Sequence, residues 1–237
     1  MWNDAVLWPS AYSNLHVHLS PPCTTLSAAN RDASSQAVAE GLESIRHALQ
    51  FVLDAGYKSW SLENVSTPAV RRLLSKFVNE LPERVAYTIV DAADLGTPST
   101  RLRLIAGPPA LIRRLREMPV YRVSVADAFE SAGVDLPAGH IKNGTRTRNG
   151  KSCIRNVQGV SHTQLASHPL VWCKADGTTI RCLTVTETAI LLGFPKEWML
   201  PNGSRAGIRA IGNAVAPPVA KAIMQAACEA RIERVPQ

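Results

Sequence analysis

The first fourteen residues contain no glycine. That absence excludes the close backbone approach by which a glycine loop at a helix N-terminus holds a cofactor. The five cysteines, Cys23, Cys153, Cys173, Cys182 and Cys228, form no Cys-x-x-Cys pair and have no His-x-x-x-His companion. This argues against a zinc site, and no metal is expected. An odd cysteine count without a signal peptide points to reduced thiols in a cytoplasmic or nuclear setting. No apolar run reaches the roughly 20 residues of a transmembrane helix, so a membrane is not expected as a partner. The chain also lacks an internal repeat.

What is present fits one α/β domain with a small appendage. The chain has 237 residues with a hydrophobic share of 46%, enough for a substantial core. The formal charge of +7 favours a polyanionic partner, although charge alone identifies none.

The first half alternates strand and helix. Residues 15–19 read as a short strand entering a Pro21-Pro22-Cys23 turn. Val38, Leu42, Ile45, Leu49 and Val52 then recur at helical spacing across 34–55, with Gly56 as the stop. Tyr57 to Leu62 is the next strand, ending on Glu63, and Thr67 is placed to cap a helix whose stripe is Val70, Leu73, Leu74, Phe77 and Val78. Two further strands are expected at 85–90 and 102–106. Such alternation implies a largely parallel sheet with its site at the carboxyl ends of the strands, where both Cys23 and Glu63 fall.

From about Leu136 the character changes. Residues 140–151 are polar, basic and rich in turn formers. Residues 171–180 read as a hairpin around Asp176-Gly177, and Thr184-x-x-Glu187 is a capping box opening a short helix. The last helix starts at Pro217 or Pro218 and buries Val219, Ile223 and Ala226 or Ala227. The expected divisions are a catalytic part over 1–135, a small target-recognition part over 136–205, and a C-terminal segment over 206–237 packing back on the first.

Cys23 and Glu63, forty residues apart, suit attack on an electron-poor aromatic ring. A thiolate adds to a ring carbon while the acid protonates the ring nitrogen that receives the displaced charge. A single cysteine is more often a small buried hydrophobe, and Glu63 alone could be a surface carboxylate. Further blocks shift that balance: Ala92-Ala93-Asp94-Leu95-Gly96-x-Pro98 with Arg101-x-Arg103, Arg181-x-Leu183-Thr184 leading to Gly193-Phe194-Pro195, and Ile211-Gly212-Asn213-Ala214-Val215-x-Pro217-Pro218.

Together with Pro21 to Ser27 and Glu63-Asn64-Val65, these blocks resemble the cytosine-5 DNA methyltransferase family, in the family's order. The resemblance implies an S-adenosylmethionine-dependent methyltransferase fold, α/β and Rossmann-like, lacking its first strands and carrying a small target-recognition subdomain. It implies that Cys23 attacks carbon 6 of a flipped cytosine, that Glu63 holds the base, and that Arg103, with Arg101 nearby, steadies the base or Glu63. Pro22, Leu49, Asn213, Ala214 and Val215 would contact S-adenosylmethionine, although Leu49 is already explained by its helix stripe. Ser27, Asn64, Arg146, Arg148 and Lys151 would lie at double-stranded DNA, Asn64 keeping the loop in shape and the basic three contacting phosphates or guanine edges. A solvated basic loop is the alternative for the last three.

The departures matter equally. The family's Phe-x-Gly-x-Gly loop for the methyl donor is not found, and Ser99 stands where the family has glutamine. The loss of strands is expected to expose a sheet edge and apolar helix faces. Three possibilities follow. The chain is the C-terminal part of a methyltransferase, either split and completed by a second polypeptide or the product of a shortened gene, or it is a catalytically silent DNA-binding relative, or a structural or assembly protein.

Overall fold

A computed structural model of the chain describes residues 15–27, 30, 32–144, 153–167, 169–201 and 203–232. The expectations for Met1 to Asn14 and for Arg146, Arg148 and Lys151 lie outside the described residues. Contacts divide the chain into two units: residues 1–88, 104–117 and 223–237 in the first, and 89–103 with 118–222 in the second.

The first unit is built on β1 (Val17–Leu19), α1 (Ser35–Asp54), β2 (Trp60–Val65) and α2 (Pro68–Glu80). β1 and β2 pair in parallel with His18 opposite Ser61, and β3 (Ala86–Asp91) and β4 (Leu102–Gly107) complete a sheet of order β1-β2-β4-β3. β1 is therefore an edge strand among the described residues, in line with the expected sheet edge. The expected bare helix faces are not seen. Ile45, Leu49 and Val52 of α1 and Val70 and Leu74 of α2 are fully enclosed with Leu62 and Leu104 of the sheet. The two helices cover one another's apolar stripes against the sheet, which leaves little for solvent to wet.

β2 (Trp60–Val65) starts three residues later than expected and ends two residues later. It continues through Glu63 and Asn64 to Val65, and every residue in it is buried. Thr67 occupies the N-cap of α2 with extended geometry, but its side chain makes no capping bond. Pro68 follows it at N1, where the ring supplies a helical φ and removes one N–H. α3 (Pro109–Glu117) completes this unit, with Leu111, Ile112 and Leu115 turned inward.

The second unit has its own core and sheet. α4 (Val125–Ser131) is capped by Ser124, whose side chain accepts from the Asp127 amide. β5 (His140–Lys142), β6 (Ile154–Asn156), β7 (Val171–Cys173) and β8 (Thr179–Cys182) form an antiparallel sheet in the order β6-β5-β7-β8. The β7–β8 hairpin turns at Gly177, whose φ of 87° is the left-handed value the Asp-Gly pair predicts. Phe129 of α4 meets Trp172 of β7 edge-on at 5.5 Å between ring centres. This contact places α4 in the second unit, so the expected boundary at 135 is not where the contacts divide. The capping box at Thr184 opens α5 (Val185–Leu191), followed by α6 (Ser204–Asn213) and α7 (Pro217–Ile232). Gly212 near the end of α6 lies against Ala166, where an added Cβ would come within 2.4 Å of backbone atoms. Only glycine permits that approach.

Among the described residues no helix is long and apolar enough to cross a membrane, and all five cysteines are free.

Candidate active site

Parallel pairing of β1 and β2 brings the loop after β1 alongside the carboxyl end of β2. Two hydrogen bonds fasten them. Ser20 Oγ donates to Glu63 Oε2 at 2.9 Å, and Asn64 Nδ2 donates to the Pro21 carbonyl at 3.0 Å. The Asn64 amide oxygen in turn accepts from the Val65 N–H at 2.9 Å, so this fully buried side chain bridges loop and strand. Cys23 is half-buried, rests against the apolar core, and closes a turn in which the Leu26 N–H donates to its carbonyl at 3.0 Å. Pro21 and Pro22 hold φ for two successive residues, which limits the positions the thiol can sample. The first unit thus brings together the thiol loop, Glu63 and Asn64.

Behind Glu63 runs a polar ladder that the sequence reading missed. His16 bonds Ser59 Oγ through Nδ1 and Ser61 Oγ through Nε2, each at 2.8 Å, while His18 Nδ1 meets the same Ser61 oxygen at 2.8 Å. His16, His18 and Ser20 alternate along one strand and Ser59, Ser61 and Glu63 along the other, so both trios face the same side. That period-two pattern of polar residues was the available signal. Ser61 has one proton for two histidines, so it donates to one ring and accepts from the other. Loss of hydration holds His18 below the usual histidine value of 6.5, and the nearby Glu63 carboxyl opposes this.

The second unit holds the arginines. Arg101 is 3% exposed, and its Nη2 donates to the carbonyls of Gly212 and Ala214, each at 2.9 Å. Its backbone N–H donates to Asp91 Oδ1 at 2.7 Å. Arg101 thereby clasps the backbone around Asn213 and fixes the Gly-Asn-Ala-Val turn. Arg103 is buried on the same side of the strand and donates to the Leu102 carbonyl at 2.7 Å. Ser99, at the family's glutamine position, is fully buried and donates to the Leu191 carbonyl at the end of α5 at 2.7 Å. The substitution at this position therefore serves the packing of the second unit.

Residues 122–229 match the sequence model of the C-5 cytosine-specific DNA methylase family. That part of the chain is similar in sequence to the cytosine-5 DNA methyltransferases. The chain is 24% identical over 169 residues to the Type II methyltransferase M.MspI of a Moraxella species, covering 65% of this chain and 40% of that relative. The chain therefore spans less than half the length of the curated relative it matches. In three dimensions it is similar to a DNA modification methyltransferase encoded within an E. coli prophage, with a TM-score of 0.61 and 17% identity over 92% of this chain and 79% of that one. It is also similar to the Entamoeba histolytica methyltransferase EhMeth, with a TM-score of 0.53 and 16% identity over 90% and 77% of the two chains. At these identities the likeness establishes the fold, that of the S-adenosylmethionine-dependent methyltransferases.

The residues expected at the methyl donor are unevenly suited to it. Leu49 is fully enclosed in the first unit's core and offers no surface to a ligand. Pro22 and Asn213 are exposed, and Ala214 and Val215 half-buried. The described residues of either unit, taken alone, do not make up a donor site. Ser27 is half-buried at the end of the thiol loop, where its carbonyl accepts from Asn30 at 3.0 Å.

Proposed function

We propose that this chain is the base-activating part of a DNA (cytosine-5)-methyltransferase, with Cys23 as nucleophile and Glu63 as its acid partner. The observation that carries it is the pair of hydrogen bonds tying the Pro-Pro-Cys loop to Glu63 and Asn64. A thiol and a carboxyl on adjacent strand ends can address two edges of one flat ring, which a flipped cytosine presents and a stacked one does not. The Cys23 Sγ–C6 bond forms as Glu63 delivers a proton to ring nitrogen 3, leaving carbon 5 as an enamine carbon that takes up an electrophile. Loss of the carbon-5 proton then expels the thiolate. S-adenosylmethionine supplies the methyl electrophile in the complete reaction. Arg103 steadies Glu63 or the base, Arg101 positions the turn around Asn213, and Arg146, Arg148 and Lys151 grip duplex DNA.

The donor-holding elements lie outside the described residues, in a longer form of this polypeptide or on a second one. This is supported by the edge position of β1, the enclosure of Leu49 and the 40% span of M.MspI. The two halves of the reaction can be tested apart. Water can protonate carbon 5 of the enamine, so the chain alone should release tritium from carbon-5-labelled cytosine in DNA while transferring no methyl group. Cys23→Ser should abolish the release. Absence of exchange, with DNA binding intact, would replace this proposal with that of a catalytically silent DNA-binding relative. Methyl transfer by the chain alone would remove the need for a longer form or a second polypeptide.

A further inference from the structure

One face of α2 remains without a partner after the fold and the site are accounted for. Pro68, Arg71, Arg72, Ser75 and Lys76 recur at positions three, four, seven and eight along the helix and line an open groove of about 400 Å³. Arg71, Arg72 and Lys76 are exposed, and among the described residues none of the three side chains has a hydrogen bond or ion pair. Ser75 at the groove floor is fastened to the Tyr87 hydroxyl at 3.1 Å, which pins the helix to β3. The neighbouring α1 treats its surface differently: there Glu43 pairs with Arg46 at 3.0 Å and with His47 at 3.1 Å. Arg71 and Arg72 also sit in the half of the helix nearest its positive end, where positive charge is disfavoured. Nothing within the described chain offsets that cost.

We propose that this stripe is a phosphate-backbone contact for duplex DNA, separate from the basic residues of the second unit; this rests on DNA being the substrate. α2 starts three residues after β2 ends, so the stripe opens at the end of the sheet that carries Glu63. A duplex delivering a base to Glu63 lays its backbone beside the N-terminal half of α2. Arg72 and Lys76 are one turn apart, about 6 Å along the axis. Along the duplex a charge recurs about every 1.7 Å counting both strands, or 3.4 Å on one. Both cations can therefore engage separate phosphates.

The test is the salt dependence of duplex binding by the full chain, comparing wild type with Arg71→Gln/Arg72→Gln/Lys76→Gln. Each lost phosphate contact should lower the slope of log affinity against log salt by about 0.9, so the triple variant should lose two to three units and at least roughly tenfold in affinity. A variant of equal charge with dispersed changes, Lys174→Gln/Lys196→Gln/Lys221→Gln, should keep the wild-type slope. Equal weakening in both variants would mean bulk charge alone and overturn the proposal, as would an unchanged slope in the α2 variant. All six residues are exposed, and matching melting curves confirm that both variants fold. If Arg72→Gln alone lowers the slope by about one, that confirms the contact should the triple variant unfold. Cytosine tritium exchange, measured separately, tells failure of this proposal from failure of the catalytic one.

Discussion

Glu63 in the first unit and Glu187 in the second are both buried carboxylates, and their partners differ in kind. Glu187 is gripped by the elements it joins. Arg181 donates to both oxygens, at 2.6 and 2.8 Å, the Thr184 N–H at 2.7 Å, and Trp172 Nε1 at 3.2 Å. Burial pushes its pKa up, but the combined donors outweigh that and hold it below the usual 4.5. Glu63 is met instead by the hydroxyl of Ser20, an exposed residue on the loop that carries the thiol. One carboxylate draws its partners from sheet and helix and cements them. The other is coupled to a loop with a nucleophile. Burial alone therefore does not distinguish the two carboxylates, whereas the elements that supply these donors do.

The sharpest way to break the comparison is to remove each charge in turn. Glu63→Gln should slow tritium release from cytosine by about 10²-fold or more, the usual worth of a positioned acid. It should leave the melting temperature close to wild type. Glu187→Ala should do the reverse, costing about 3 kcal/mol of stability in denaturant titration, because Arg181 and the helix cap lose a shared buried partner. If Glu63→Gln destabilises as much as Glu187→Ala, the two carboxylates are alike and the comparison fails.

Gly212→Ala comes next, at about 2 kcal/mol, since the added Cβ meets the Ala166 backbone at 2.4 Å. Loss of stability with intact cytosine exchange would confirm that this glycine of the Gly-Asn-Ala-Val block serves packing. Acid provides a weaker lever. Glu187 titrates lower in the folded chain, so its stabilising effect is present above about pH 4.5 and is lost as pH falls through the folded value. Glu187→Gln should flatten that acid limb in urea midpoints measured from pH 6 to pH 3.

The smallest effect belongs to His18, which keeps part of its surface in solvent. Its folded value lies below 6.5, so protonation favours the unfolded chain and stability declines as pH drops below 6.5. His18→Gln should remove that decline, and an unchanged profile would show that the ladder does not sense pH.

The helices over 35–54 and 68–80 were legible because their apolar stripes repeat at helical spacing and are buried except at Val38, Leu42 and Val78, which are half-buried. The capping box and the Asp-Gly turn were equally legible, being local hydrogen-bond chemistry. The exact span of β2 was not, because Asn64 is polar and its side chain is satisfied within the strand only by the Pro21 carbonyl of the neighbouring loop. Nor was α4's allegiance to the second unit, which rests on Phe129 meeting Trp172 across forty-three residues of chain.

The candidate site divides in the same way. The spacing of Cys23, Glu63 and the arginine block was enough by itself to show the resemblance to the cytosine-5 DNA methyltransferases, and the +7 charge pointed to a polyanion. Only the folded chain decided that Arg101 spends its guanidinium on the carbonyls around Asn213 and that Leu49 is closed to any ligand. It also decided that the cations of α2 stand on one uncovered stripe. The reason is physical. Residue type and spacing specify which reactions a chain could support, but which polar atoms are already bonded depends on carbonyls and faces that meet only after residues distant in sequence have packed together.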